Sequence, residues 1–348
     1  GVTSRARDVV MPDGDLELGL VYTTPIDQAL ADRPHLAQKA GAPTGPEIGD
    51  PELRYRDFTG GRMYWTARSG AHLVQGAILA DYLAAGGPSV FGEPITDELT
   101  TPDGVGRYSK FYHNGPDWPA SSYWSPATGA HMVYGLIAQR WAALGWEKGP
   151  FGYPTTDEAN TNKAGGRYNN FQHGLIVWSA GTGAHSVGGA ILDKYAASNW
   201  DWGVLGFPTT DELDTAKPGG KYNNFEFGTI VWSAGTGAQM VKGDNLLKWG
   251  EYGYDNGLLG FPTTSEVALP GGAYNHVQGG SIYWSPGAGS HAIYGAFRNR
   301  WAALGWERSY LGFPTSEEFS VTGGRRQNFQ YGYMVWDSRT GAVTDRRY

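Results

Sequence analysis

The alternation of apolar and polar positions is clearest between residues 165 and 198. There, "RYNNFQ" has the length and mixture of a β-strand, "HG" reads as a turn, and "LIVWS" is a second strand rich in branched and aromatic residues. "AGTG" turns the chain again, and "AHSV" has the length of a short third strand. The period then changes. In "GAILDKYAAS", Ile191, Tyr195 and Ala196 fall at i, i+4 and i+5, on one face of a helix. Gly145 and Gly305 end the equivalent helices elsewhere and suit a left-handed C-terminal cap. A small ribbon and one helix cannot bury both their faces alone, so neighbouring units must cover them.

The pattern recurs. "LGFPTTDE" (205–212) returns as "FGEPITDE" (91–98), "FGYPTTDE" (151–158), "LGFPTTSE" (259–266), "LGFPTSEE" (311–318) and, more worn, "AGAPTGPE" (40–47). Its prolines, from Pro43 to Pro314, are 51, 60, 54, 54 and 52 residues apart. A tryptophan phrase keeps step, with Trp65, Trp124, Trp178, Trp232, Trp284 and Trp336. A fixed period of this size means stacked supersecondary units rather than independent domains. The expected fold is a mixed α+β repeat protein of six units, each a β-hairpin or ribbon plus one helix. Residues 1–20 fit no repeat and read as an N-terminal extension; 21–348 read as one repeat domain. The first helix lacks a hairpin and the last hairpin lacks a helix. This predicts a closed, propeller-like ring in which the N-terminal segment completes the last unit, with an open solenoid as the alternative.

Composition narrows the function. Aromatics make up 14% of the chain and charged residues only 18%, which suits aromatic-rich β-structure rather than disorder. The net charge is −7 and no basic run occurs, so a nucleic-acid partner is not expected. Cysteine is absent, which removes disulfides and thiolate metal sites. No apolar stretch has the ~18 residues of a membrane helix.

The combined signature "LGFPTTDE…GGRYNNFQHGLIVWSAGTGAH" resembles the LGFP repeat, from about residue 20 to 344, with 150–187, 204–241 and 258–294 carrying nearly the whole pattern. That resemblance implies an actinobacterial protein, secreted or of the cell envelope. In that family the repeats are non-catalytic appendages of mycoloyltransferases, muramidases or amidases, and hold them to the wall through its polysaccharide. It therefore implies a wall-glycan-binding module, accompanied by a catalytic domain or protein partner outside this chain. Two other readings stay open: a protein-binding or adhesin platform, and a hydrolase with one site in a degenerate unit, for instance around His113 and Asp117.

No GxSxG elbow, HExxH helix or P-loop is present, and no cofactor is expected. The adjacent carboxylates of the joints would point to opposite sides of a strand, unlike the facing pair of a glycosidase. Glu47, Glu98, Glu158, Glu212, Glu266 and Glu318 recur in every joint. They are expected to be structural, paired with the basic residue opening the next strand. The preceding position varies, so Asp97, Asp157 and Asp211 are the ligand candidates there. His72, His131, His185 and His291 share one position, taken by Gln239 and Val343 in the other units. Replacement by Gln favours hydrogen bonding, in a turn or to a polar ligand, for which these histidines are candidates, and spacings above 50 residues argue against a metal. Asn169 and Asn223, with Asn170 and Asn224 beside them, are candidates for sugar hydroxyls or a solvated sheet face. The hairpin tryptophans read as core. The irregular aromatics Trp118, Trp146, Trp202 and Trp306 fall on loops and are the better binding candidates.

Overall fold

The computed structural model describes residues 23–113 and 119–348. The expectations for residues 1–20, Asp117 and Trp118 lie outside them. Six four-stranded antiparallel sheets follow one another along the chain, each with its strands in sequence order. In the third unit these are Ala159–Asn160, Gly166–Phe171, Gly174–Ser179 and Gly183–Gly188, followed by a helix at Gly189–Ala197. The short first strand was not foreseen. It occupies the two residues after the joint, too brief to show a period, and pairs with the second strand at Tyr168 and Arg167. A one-turn 3₁₀ helix (Trp200–Trp202) then leads into the next joint.

Each helix that follows a sheet and precedes another is wedged between the two. Leu175, Val177 and Val187 of the third sheet, Ile191 and Tyr195 of its helix, Leu205 and Phe207 of the joint, and Phe225 and Ile230 of the fourth sheet form one buried cluster. The apolar core is thus a series of seams between units. Side chains such as Leu205 and Phe207, at most 3% exposed, each contribute roughly 1.5–3 kcal/mol by burial. The joint glycine is a steric requirement. Gly206 has φ +71°, and a Cβ there would lie 2.3 Å from Glu226. The next peptide is held from the same side chain, because Phe207 N–H donates to Glu226 Oε2 at 2.9 Å.

The ends differ from the ring expected from the sequence. The N-terminal helices, Pro25–Asp32 and Pro34–Ala40, pack on the first sheet through Ile26, Leu36 and Ala40. The last sheet possesses all four strands itself, ending with Val343–Arg347. Its final hairpin has slipped by one residue, so Thr344, not Val343, sits opposite Val335 as His185 sits opposite Val177. The outward face of that sheet carries Arg326, Thr344 and Arg346, at the positions of Tyr168, His185 and Val187 in the third unit. Arg326 lies over Tyr333, 3.8 Å from the ring centre. On this face Thr344 and Arg346 are exposed and Arg326 is half-buried. Among the described residues, no hydrogen bond or ion pair joins the first unit to the last. The contacts draw a consecutive array.

Candidate functional site

The variable acid of each joint closes the seam behind it. Asp97 Oδ1 accepts the Leu73 N–H at 2.9 Å, Asp157 Oδ1 that of Met132 at 3.0 Å, and Asp211 Oδ1 that of Ser186 at 2.9 Å. Ser265 accepts the Met240 N–H, and Glu317 that of Ala292. The histidines complete the same clasp. His72, His131, His185 and His291 each place Nε2 within 2.8–3.0 Å of the carbonyl three residues back. Their Nδ1 atoms face the acid at 3.5, 3.3, 4.0 and 3.1 Å. Where Gln239 replaces histidine, Ser265 replaces aspartate and donates to Gln239 Oε1 at 3.0 Å. In that unit both positions differ and still partner each other, whereas His291 keeps its place opposite Glu317.

A basic side chain from the preceding helical segment neutralises three of these acids: Arg33 on Asp97, Arg140 on Asp211, and Lys248 on Glu317. Behind Asp157, Asp81 in the helix of the first unit (Gly76–Ala84) stands at the position that Arg140 holds in the next helix. Burial, with Asp157 beside it, pushes Asp81 up to about 7, although Ser122 donates to it. The Asp157 hydrogen bond raises His131 above the ordinary histidine value. For Asp157 burial acts upward, but the His131 and Met132 hydrogen bonds hold it below the ordinary carboxylate range.

The invariant glutamates behave as expected in four units, with Arg54–Glu47, Arg107–Glu98, Arg167–Glu158 and Arg325–Glu318 pairs. Where Ala273 removes the base, Glu266 takes Lys242 instead, and Lys221 turns to Asp214. Asn169 and Asn223 depart from both readings given to them. They are fully buried and each donates to two carbonyls, Met132 and Thr156 or Ser186 and Thr210. They are seam staples, not surface donors.

Open space lies within two of the seams themselves, bordering their buried clusters. In the fourth unit a cavity of about 450 Å³ is bounded by Tyr222, Asn224, Thr229 and Val231 of the sheet, Trp249 of the helix and Tyr254 and Asp255 of the 3₁₀ turn. The third unit repeats it at about 180 Å³, with Tyr168, Asn170, Leu175, Val177, Tyr195, Trp200 and Asp201. The larger volume follows from Thr229, which stands where Leu175 fills the smaller pocket. The buried Asp201 and Asp255 carboxylates are fixed by the N–H groups of Lys163 and Lys217, both at 2.6 Å. Trp200 and Tyr254 have φ +53° and +52°, a left-handed backbone that aromatic residues seldom adopt. The turn spends that strain holding a ring over the pocket. Trp146 and Trp306 share this conformation, but their rings are packed against Tyr123 and Tyr283.

The LGFP repeat family matches in six consecutive stretches: 41–89, 91–149, 151–203, 205–257, 259–309 and 311–345. The chain belongs to the LGFP-repeat family. None of the curated proteins matches it. Among solved structures, it is similar at 9% identity to the extracellular domain of a one-component system from B. thetaiotaomicron, over 89% of this chain and 37% of that one, with a TM-score of 0.14. The tricorn protease matches at 9% identity over 88% of this chain and 26% of its own, also with a TM-score of 0.14. The chain thus spans well under half the length of these two proteins. A luciferin-regenerating enzyme matches at 10% identity over 66% and 67%, with a TM-score of 0.13.

In this LGFP array the repeat signature and the pocket are separate. Asp97, Asp157, Asp211 and the four histidines line neither pocket, although both pockets border the seam clusters. Trp202 is 71% exposed and does not line the pocket, whereas Trp200 does. Asn170 and Asn224 line the pockets, one residue along from the buried Asn169 and Asn223. Sequence reasoning missed Tyr168, Val177, Tyr222 and Val231. One signal was available: the third-strand residue before tryptophan is Tyr64, Tyr123 and Tyr283 in three units but Val177, Val231 and Val335 in the others. No group of three metal-ligating side chains occurs among the described residues, and none of their helices is long and apolar enough to cross a membrane.

Proposed function

We propose that this LGFP array is a non-catalytic, secreted module that binds cell-envelope polysaccharide of the arabinogalactan or peptidoglycan type. The observation that carries this reading is the repeated pocket. In two successive units, aromatic rings form its walls, while Asn, Asp and Thr side chains supply hydrogen-bonding groups at its edge. Aromatic faces match the apolar faces of sugar rings, and the polar edge suits their hydroxyls. Weak sites repeated on one rigid array gain avidity on a polymer without a tight single site. This requires only the linear order of units, not closure into a ring. A catalytic domain or protein partner outside this chain would be held at the wall by it. The test is retention of the purified protein on whole cell wall, then on arabinogalactan and peptidoglycan separately. Retention on none of the three contradicts the proposal.

A second reading has its own observation. Val204 and Phe227 are 55% and 61% exposed, and Leu258 and Tyr331 at related positions of later units are 62% and 58% exposed. Phe227 N–H donates to the Leu205 carbonyl, which sets it beside the joint. Such an apolar row favours a protein partner, and Phe227→Ser would then abolish capture of that partner while leaving wall retention unchanged.

A further inference from the structure

We propose that the sugar-binding capacity resides in only two of the six units, the third and fourth, and that each pocket is a slot for an uncharged six-membered sugar ring. The inference rests on the glycan-binding reading above. Its basis is an occupant that the chain itself provides in other units.

In the second unit the third-strand residue is Tyr123. Its ring is stacked on Tyr108 at 5.0 Å and 9°, and faces Trp146 at 6.1 Å and 19°. In the fifth unit Tyr283 lies in the same way between Tyr274, at 5.1 Å and 17°, and Trp306, at 6.3 Å and 19°. In both units a flat six-membered ring is layered between a sheet tyrosine and the left-handed aromatic of the 3₁₀ turn. The third and fourth units keep the outer two layers, Tyr168 with Trp200 and Tyr222 with Tyr254. They lack the middle one, because Val177 and Val231 stop short of it. The cavities of about 180 and 450 Å³ are the spaces left. In the first unit the third-strand residue is again a tyrosine, Tyr64, buried 6.1 Å from the Tyr55 ring, with the Arg62 guanidinium 4.4 Å from the Tyr55 ring centre. In the sixth, no helix among the described residues follows the sheet.

A slot that takes a tyrosine ring between two aromatic faces suits a pyranose, which presents an apolar patch on each face. Charge then limits the ligand. Asp255 lines the larger slot and Asp201 the smaller, and no Lys or Arg lines either; Asp214, at the rim of the larger, is exposed and paired with Lys221. A carboxylate-bearing or phosphorylated sugar would meet like charge in a partly dry site, whereas hydroxyls can donate to these oxygens.

The test is calorimetric titration of the whole chain with neutral pyranose oligosaccharides (α- and β-galactan, mannan and β-glucan) and with oligogalacturonate, a carboxylate-bearing α-linked pyranose oligomer. The expected result is two sites per chain for at least one neutral oligosaccharide, and at least tenfold weaker binding of oligogalacturonate. Val231→Tyr should leave one site, and the Val177→Tyr/Val231→Tyr double variant none, with the melting temperature retained because tyrosine is native at this position elsewhere. Tyr283→Val should open a third site, so the proposal does not depend on loss alone. Unchanged stoichiometry in the double variant, equal binding of oligogalacturonate, or binding of arabinofuranose oligomers alone would overturn it. Wall retention that persists in the double variant sinks the slot but leaves wall binding standing. A wild-type chain that retains no glycan removes both.

Discussion

The second and fourth units share their strand order, the helix wedge and the joint, yet one has a filled interior and the other an open one. One difference is the third-strand residue, Tyr123 against Val231; Trp146 against Tyr254 and Ser121 against Thr229 are others around the same space. In the second unit the tyrosine completes a stack with Tyr108 and Trp146. In the fourth, valine leaves Tyr222 and Tyr254 facing a cavity of about 450 Å³. The scaffold tolerates either, as it tolerates the His131–Asp157 pair behind one unit and the Gln239–Ser265 pair behind the other. A repeat can therefore keep its signature and still gain or lose a pocket by changing a few side chains.

The comparison can be broken most severely at the floor of the open pocket. Trp249 is 3% exposed and donates to the Gly260 carbonyl at 2.9 Å. Trp249→Ala is expected to cost about 3–5 kcal/mol, since the cavity would merge with a seam. Tyr254→Ala, at a half-exposed ring, should be far milder; chemical denaturation of both variants checks this. Tyr283→Val makes the fifth unit resemble the fourth and should cost about 2–4 kcal/mol as a large-to-small change in a packed stack. Asn223→Ala leaves the Ser186 and Thr210 carbonyls without their donor and should cost about 1–3 kcal/mol. Because Asn223 faces the seam and not the slot, sugar affinity of the folded variant should stay at the wild-type value in the same titration.

The smallest effect separates the second unit from the third by pH. Asp81 has a folded value of about 7, above its ordinary 3.8. The folded state therefore binds more protons than the unfolded chain between about pH 4 and 7, and the contribution is lost as pH rises through 7. His131, raised above 6.5, acts in the same direction; Asp157, depressed below 3.8, matters only at lower pH. The melting temperature should fall from pH 5 to pH 8, and Asp81→Asn should flatten that fall. Asp81→Arg, which restores the pairing seen between Arg140 and Asp211, should flatten it as well.

Much of the fold was legible because periodicity is local. The strand–turn–strand pattern of "RYNNFQ" and "LIVWS", the helix after it and the six-fold phrase are properties of neighbouring residues. The clasp was not legible, because His131 and Asp157 are 26 residues apart and meet only once the sheets stack. Variation at the acid position looked like freedom to adapt to a ligand, yet Ser265 partners Gln239 where Asp211 faces His185. Asn169 and Asn170 look alike in sequence, but strand alternation buries the first in the seam and turns the second toward the pocket. The pocket was hidden for a different reason. It is made by what Val177 and Val231 do not fill, and a missing ring leaves only a gap in a column of tyrosines.

The central claim is that signature and site are separate, and it is tested most directly by measuring melting temperature and wall-polysaccharide retention together on two variants. Asp211→Ala should lower the melting temperature by several degrees while the folded protein keeps wild-type retention. Val177→Tyr/Val231→Tyr should keep the melting temperature and lose retention. The reverse outcome, in which the clasp variant loses retention at unchanged stability and the tyrosine variant still binds, would contradict the account.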